Sequence, residues 1–296
     1  MKKTIAYIAV MILGSSSLAW AQQDVAVTQF NELMLLYNPA YAGNAAQAKF
    51  SSAYIKEWSG APIGSPQTNF FSFDKPLAKG LGLGLSFIND KTFVENIGST
   101  SLDFSYKVQV SELTRLYFGI RASAILYNLN ASSLVTNSLV ADPSLIDTSI
   151  FSSNVGFGMR VVGDKWDFSL AVPRFFKSNR VAEDNGVALL SSSKTHLYGS
   201  LGYNYSLNES GNLVLKPAVL FRYAGGSPMA YDALAMLDIK QKYSVGLSYR
   251  STQTLAGIAA LDISDSLRFG ASYGFSSNEQ LVNRNSNYEF FLKINL

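Results

Sequence analysis

The sequence of 296 residues contains no cysteine and a single histidine, His196. The absence of cysteine excludes disulfide bonds, thiolate metal sites and a lipid-modified N-terminal cysteine. After residue 21 there is also no apolar run of the ~20 residues that a membrane-spanning helix needs. The net charge is small as well, because loss of Lys2 and Lys3 would lower it from +3 to +1. This balance gives no reason to expect a nucleic-acid partner.

Residues 1–21 have the pattern of a signal peptide. Two lysines precede the apolar stretch 5–13, and Ala19-Trp20-Ala21 supplies small residues where a signal peptidase cleaves. The apolar stretch is too short for a membrane anchor. We therefore expect cleavage before Gln22 and export of the rest of the chain.

The exported chain is rich in apolar residues that recur at every second position. Hydrophobic residues make up 48% of the sequence, with 16 tyrosines and 19 phenylalanines. Between Tyr288 and Leu296 the even-numbered residues are all apolar, whereas Glu289, Lys293 and Asn295 lie on the opposite side of an extended chain. A strand of this kind can face lipid in a closed barrel or a second sheet in a soluble sandwich.

This alternation predicts an all-β fold, a transmembrane antiparallel β-barrel of about 14 strands over residues 47–296. The clearest alternating sets are Leu81/Leu83/Leu85/Phe87, Leu102/Phe104/Tyr106/Val108, Leu116/Phe118/Ile120/Ala122, Val155/Phe157/Met159/Val161, Trp166/Phe168/Leu170/Val172, Leu213/Leu215/Val219/Phe221, Tyr243/Val245/Leu247/Tyr249 and Leu267/Phe269/Ala271/Tyr273/Phe275. Weaker strands are predicted near 48–58, 67–74, 194–206, 228–238 and 254–262. Pro217 cannot donate to a ladder, so it predicts a bulge or a weakly paired site.

The predicted connections alternate between short and long, as in bacterial barrels with short periplasmic turns and longer outer loops. The short set is Asp74–Lys79, Val110–Leu113, Gly163–Lys165, Asn208–Asn212, Ile239–Lys242 and Ser264–Ser266. The long set is Asn89–Gly98, Asn128–Ile150, Phe176–Ser193 and Ser276–Asn287. Every long connection falls on the side expected to face outward, although two short connections, 224–227 and 251–253, lie there too.

Residues 22–46 precede the first strand and form an N-terminal plug or periplasmic segment. Its apolar cluster, Leu33–Tyr37, would not remain exposed to water. The cluster is followed by Asn38, Pro39, Ala40, Tyr41, Ala42 and Gly43, where proline and glycine favour a fixed bend. We expect this stretch either to plug the barrel only or also to form a periplasmic surface that binds partners. Gly82, Gly84, Gly156 and Gly158 are predicted to face the lumen, where they either allow strand curvature or leave room for a plug.

Charged residues in phase with the inward side of the predicted strands are mostly basic. They are Lys107, Arg121, Arg160, Lys216, Arg222, Arg250, Arg268 and Lys293, against Asp103, Asp167 and Glu289. A basic lumen would favour anions or an acidic polypeptide. Alternatively, these charges pair with one another, with the plug or with strands whose phase is uncertain.

The sequence gives little support for catalysis. His196 is in phase with Tyr198 and Ser200 near an outer strand end, but no serine stands in an elbow or similar motif. An outer-membrane hydrolase is therefore the weakest alternative. No cluster of side chains has metal-ligand spacing, and the glycines of 80–85 lack the features of a phosphate loop, so neither metal nor cofactor is expected.

With these residues in view, the chain resembles the PorP/SprF family of Bacteroidetes outer-membrane proteins. The resemblance is strongest from Gln29-Phe30-Asn31 through Leu36-Tyr37-Asn38-Pro39-Ala40-Tyr41-Ala42-Gly43, and it extends to Tyr249-Arg250 and the strand Gly270–Phe275. Family members usually have Ser-His-Glu-Ile near the end, whereas here Asn287-Tyr288-Glu289-Phe290 retains only the glutamate.

The resemblance implies a non-enzymatic protein of the outer membrane that assists type IX secretion and gliding. Implied partners are a secreted adhesin or other cargo with a type IX C-terminal targeting domain, a periplasmic peptidoglycan-binding lipoprotein and components of the secretion ring. A passive porin or transporter of hydrophobic solutes is the alternative.

Overall fold

The computed structural model describes residues 25–59, 64–134, 145–177, 179–184, 187–192, 195–225, 227–276 and 286–296. The predicted signal peptide and its cleavage before Gln22 lie outside the described residues. Strands dominate the described part of the chain. Within it, no helix is both long enough and apolar enough to cross a bilayer.

Seventeen strands follow one another within the described residues. They are β1 (Lys49–Lys56), β2 (Gln67–Pro76), β3 (Leu81–Thr92), β4 (Glu95–Gln109), β5 (Arg115–Leu129), β6 (Thr148–Val162), β7 (Trp166–Val172), β8 (Asn179–Asp184), β9 (Val187–Ser192), β10 (His196–Tyr203), β11 (Tyr205–Ser206), β12 (Leu213–Ala224), β13 (Ala230–Ile239), β14 (Tyr243–Arg250), β15 (Thr254–Ser264), β16 (Leu267–Ser276) and β17 (Ser286–Asn295). Short 3₁₀ turns occupy Phe30–Glu32, Met34–Leu36, Pro39–Tyr41, Ala78–Gly80 and Ala131–Ser133.

The sheet closes into an antiparallel barrel of fourteen strands, as predicted. The first strand, β1, pairs with the last, β17, and β10 pairs with both β7 and β12. The strands β10 and β11 occupy one position in the barrel, and β8 and β9 form a separate hairpin. Closure leaves the barrel without the two free edges of an open sheet.

Apolar side chains face outward around the barrel, and the inward-facing side chains are polar on some strands and apolar on others. On β14, Leu247 is 62% exposed and the next residue, Ser248, is buried. Phe157 and Phe269 are likewise exposed on the outside. An apolar exterior of this kind meets lipid in a membrane barrel, and it excludes the soluble sandwich.

The connections define two rims. The inner rim carries the short connections 77–80, 110–114, 163–165, 207–212, 240–242 and 265–266; the outer rim carries every longer one between the described strands. The prediction of a long loop over Asn89–Gly98 was wrong. Here β3 and β4 stay paired up to Thr92 and Glu95, so the polar residues belong to strands that continue past the apolar band.

The strand containing Pro217 has the predicted weak pairing. Pro217 pairs with Ala235 of β13, but on its other side the ladder is interrupted between Tyr203 and Tyr205. The irregularity that lengthens a strand lies elsewhere, between Asp262 and Ser264 of β15.

Candidate functional site

The residues from Val25 to Gly43 lie among the inward-facing side chains of the barrel. Phe30 and Leu33 are almost fully buried, in one apolar cluster with side chains from opposite parts of the wall. The wall members include Ile55, Phe70, Tyr198, Leu220, Leu234, Met236, Ile258 and Phe291. The ring of Tyr37 lies 5.0 Å from that of Tyr198. The apolar cluster predicted from the sequence therefore packs against the wall instead of facing water.

Asn38 fixes the start of the 3₁₀ turn that follows. Its side-chain Oδ1 accepts a hydrogen bond from the Ala40 N–H at 2.9 Å, and Pro39 occupies the first position of the turn. These are favoured positions for asparagine and proline. The Asn38 Nδ2 donates to the carbonyls of Met159 and Leu170, at 3.2 and 3.3 Å. One side chain therefore shapes the turn and attaches it to two neighbouring strands.

Glycines in the wall allow this turn to approach the strands closely. A Cβ on Gly119 would overlap the backbone of Pro39 and Ala40, and a Cβ on Gly158 would overlap the Asn38 side chain. Gly82 stands in the same relation to the Ala42 carbonyl. The turn therefore approaches the wall most closely at positions where the wall residue is glycine.

Arg121 connects the segment to β4 and β5. Its guanidinium binds both oxygens of Asp103, at 2.6 and 2.9 Å. It also donates to the carbonyls of Leu35 and Leu36, at 2.5 and 3.0 Å. A charge buried in this way needs such full pairing to be tolerated, so losing either partner would strand a charge inside the barrel.

Tyr41 lies between Arg160 and Asp167. Its hydroxyl donates to Asp167 at 2.7 Å, and the Arg160 guanidinium carbon lies 4.1 Å from the ring centroid. Arg160 also donates from Nε to Asp167 at 2.6 Å. Burial raises the pKa of Tyr41 to about 12 despite the opposing effect of Arg160, so the phenol remains a donor at neutral pH.

Two glutamates join the segment to the last strands. Glu289 of β17 accepts hydrogen bonds from the N–H groups of Thr28 and Gln29, at 2.7 and 3.0 Å. Glu32 of the segment lies 2.5 Å from the Lys293 ammonium and 3.4 Å from the Arg268 guanidinium. Burial would raise the pKa of Glu32, but these cations lower it from 4.5 to about 2, so Glu32 is ionised at neutral pH.

The end of the segment turns into β1 at Gly43. This residue has φ +58°, and its N–H donates to Asp74 at 3.1 Å. The Ser105 hydroxyl donates to the Ala42 carbonyl at 2.6 Å. A left-handed residue at this point favours glycine.

The charges assigned to the lumen from the sequence occupy three environments. Asp103, Arg121, Arg222, Arg250 and Glu289 are buried. Arg160, Asp167, Arg268 and Lys293 are partly buried and paired. Lys216 pairs with Asp238 at 2.5 Å but keeps 43% of its side chain exposed, and Lys107 is exposed near the inner rim.

Sequence reasoning missed most of the acidic partners. Asp74, Asp232, Asp238 and Asp262 lie on strands of weak or uncertain phase, and Glu32 and Glu57 lie outside the strands. Asp232 binds Arg222 and Arg250 at 3.0 and 2.9 Å, and Arg250 also reaches Glu57 at 3.3 Å. The excess of basic residues is thus largely neutralised by ion pairs. Asp232 and Asp238 were missed because residues 228–238 alternate only weakly between apolar and polar residues.

The six residues predicted to bind a partner mostly contact the wall. Asn38, Pro39, Ala40 and Ala42 are buried, and only Tyr41 and Gly43 keep part of their surface. Beside them, toward the inner rim, is a cavity of about 170 Å³. Its lining combines apolar residues with Glu32, Asp74, Lys49, Arg160 and Lys293.

His196 lies at the outer end of β10, opposite Ala224, with its ring 6.3 Å from that of Tyr198. Among the described residues, no group of three or more His, Asp and Glu side chains is arranged to hold a metal ion.

Comparison with known proteins identifies a family and a fold. The family model "Type IX secretion system membrane protein PorP/SprF" matches residues 19–294. Comparison with curated proteins gives no match.

Several solved outer-membrane proteins have a similar fold. Omp33 of Acinetobacter baumannii has a TM-score of 0.50 at 9% identity, over 84% of this chain and 98% of its own. The monoaromatic hydrocarbon channel CymD has a TM-score of 0.51 at 11% identity, over 94% and 95%. A FadL homologue of Pseudomonas aeruginosa has 0.50 at 11% identity, over 86% and 91%. At these identities the likeness concerns the barrel fold.

Proposed function

Because the chain belongs to the PorP/SprF family of type IX secretion system membrane proteins, we propose that it is a non-enzymatic accessory barrel of that system. In this role it supports the secretion or surface attachment of a particular adhesin or other cargo with a type IX C-terminal targeting domain. The signal peptide directs it to the outer membrane, where lipid surrounds its apolar exterior.

The position of residues 25–43 carries the proposal. They bring the apolar cluster and at least four anchored polar groups into the space that a channel would leave open. A barrel filled in this way is suited to holding a partner at its surfaces, and less suited to conducting solutes. This observation supports a plug role for the N-terminal segment.

A periplasmic partner would contact the inner rim. Since most of the Asn38–Gly43 stretch is buried, we assign it the task of holding the segment in the wall. The accessible Ala46 and Gln47 and the short inner turns then form the contact surface. A peptidoglycan-binding lipoprotein and secretion-ring components are the partner classes that the family implies.

The test is deletion of the gene in its native host, followed by quantification of surface-exposed polypeptides. We expect one or a few large secreted polypeptides to lose surface exposure, with recovery on complementation. An unchanged set of surface polypeptides would contradict the proposal. Planar-bilayer recordings of the purified barrel test the porin alternative, which requires steady conductance.

A further inference from the structure

Among the described strands, the outer end of β6 has a paired strand on only one side. This strand pairs with β5 from Thr148 to Val162 but with β7 only from Phe157 to Val162. The stretch Thr148–Gly156 therefore extends beyond β7 at the outer rim. Among the barrel strands that the structure describes, no other leaves so long a run unpaired on one side.

Odd-numbered residues direct their backbone groups toward this free side. The Phe175 N–H donates to the Val155 carbonyl at 2.8 Å from the β7 side, and backbone direction alternates along an antiparallel strand. Ser149, Phe151 and Ser153 therefore direct N–H and C=O groups toward a side on which no described strand pairs with them. All three residues are exposed, and Phe151 is 70% exposed.

Asn154 marks the lower limit of the free edge. Its side chain donates to the Phe176 carbonyl at 2.8 Å and accepts from the Phe176 N–H at 3.0 Å. This exchange takes the place of a pair of ladder bonds at that level. Above Asn154, no described strand pairs with the six residues Thr148–Ser153 on this side.

The free edge has none of the usual protection against strand addition. Natural edges carry charged residues, prolines or bulges that prevent pairing with another chain. Thr148–Ser153 reads Thr-Ser-Ile-Phe-Ser-Ser and contains no charge, proline or glycine. An unprotected edge of this kind is expected to be covered in the working protein.

The free edge stands on the outer side of the hydrocarbon layer. A tilted strand crosses that layer in about 9–11 residues, whereas β6 has 15 residues, measured from the inner rim. Unpaired backbone groups are not tolerated in lipid. The occupant therefore reaches the edge from the outer surface.

A second copy in the same membrane does not fit this edge. Barrel strands tilt by roughly 35–45°, so facing strands of two upright copies would cross at roughly twice that angle and form no ladder. Lipid tails cannot supply hydrogen bonds. An extended polypeptide satisfies the unused groups, because their spacing is that of a β-ladder.

We propose that Thr148–Ser153 is a docking site at which an extended segment of the secreted polypeptide adds as a strand to β6. This rests on the proposed function, which supplies a secreted polypeptide as the partner. A partner residue beside Phe151 on the outward face would be apolar, whereas those beside Ile150 and Ser152 face the barrel interior.

The test uses the full-length protein in its native membrane with Ser149→Pro and Ser153→Pro combined. Proline removes two edge-facing N–H groups and spares the β5 ladder, because those groups point away from β5. The matched control, Ser149→Thr with Ser153→Thr, keeps both N–H groups. Surface exposure of the polypeptide identified by gene deletion is measured for both variants, after confirming equal abundance and heat-modifiable folding.

We expect the proline pair to lower that surface exposure by roughly tenfold or more, and the threonine pair to leave it unchanged. A photo-crosslinker at Phe151 should form an adduct with the same polypeptide, and the proline pair should remove the adduct. Unchanged exposure with a folded proline variant would overturn the docking site while the deletion result still supports the proposed function. Adducts confined to this chain itself would also overturn it.

Discussion

At the scale of single residues, wall glycines fit closely against the turn Asn38–Ala42. Gly119, Gly158 and Gly82 each face backbone or a short side chain that cannot move far. The energy of this fit comes from the hydrogen bonds that close approach permits, above all those of Asn38. Adding a single methyl group at one of these glycines would therefore push the turn away from the wall.

Gly119→Ala should destabilise the folded protein by about 1–3 kcal/mol, because the new Cβ overlaps backbone atoms of Pro39 and Ala40. Thermal unfolding in detergent, read by the loss of heat-modifiable migration, measures the effect. Gly257→Ala is the matched control, since a Cβ there meets nothing within 4 Å. Equal shifts in both variants would show that the turn does not depend on this contact.

Replacing a lipid-facing residue with arginine should cost most near the middle of the strand. Leu247→Arg should lower stability by roughly 2–4 kcal/mol, and Tyr243→Arg, at the inner end of the same strand, by about 0–1 kcal/mol. Reversible unfolding in lipid vesicles gives both values. The assignment of faces on β14 would be wrong if neither change had an effect.

At the scale of elements, alternation predicted the barrel strands well because each has one face in lipid. Alternation failed as a predictor where a strand has no face in contact with lipid. The outer ends of β3 and β4 are mostly polar and were interpreted as a loop, and the hairpin β8–β9 pairs outside the barrel sheet. The acidic residues of β13 escaped notice for a related reason, since small alanines on its outer face weaken the apolar signal.

The link between the N-terminal segment and β17 should weaken in acid. The pKa of Glu32 is about 2 in the folded protein and 4.5 when unperturbed. A lowered folded pKa gives stabilisation that is complete above about pH 4.5 and is lost as the pH falls toward 2, corresponding to about 3 kcal/mol. The difference in stability between the wild type and Glu32→Gln should shrink by roughly half between pH 7 and pH 3. A constant difference would contradict the assignment.

The two rims should be accessible from opposite sides of the membrane. Cysteine at Ser133 or Asp147, in the outer connection between β5 and β6, should react with an impermeant maleimide on intact cells. Cysteine at Asp164 or Ser210, in inner connections, should react only after the outer membrane is opened. The reverse pattern would invert the topology.

At the scale of the whole molecule, the fold class was predictable and the candidate site was only partly so. The period-two pattern and the connection lengths were enough to predict a barrel of about fourteen strands. Both arise because one face of each strand meets lipid and the connections lie in water. The contacts of the N-terminal segment depend on which wall residues come opposite it across the barrel. Gly82 and Gly158, predicted to face the lumen, both contact the turn, whereas no sequence signal pointed to Gly119. Gly156, also predicted to face the lumen, lies against the backbone of Pro173 and not against the turn.

Removing residues 25–43 should convert the barrel into a pore. If the segment plugs the barrel as proposed, the wild type should show no steady conductance in planar bilayers, because its apolar cluster packs against inward-facing wall residues. The shortened protein should conduct, provided that heat-modifiable migration confirms its folding. Open-channel conductance in the wild type would contradict the plug role and favour the porin alternative.

The bonds from Glu289 to Thr28 and Gln29 join residues 261 and 260 positions apart in the chain. They sit beside the β1–β17 seam, which can form only after the final strand is available. Loop closure over such a distance makes this a late event in folding. The bonds of the N-terminal segment to Glu289 therefore also form only once β17 is available. One late strand, β17, thus supplies both the partner that closes the sheet and the carboxylate that holds the start of the N-terminal segment.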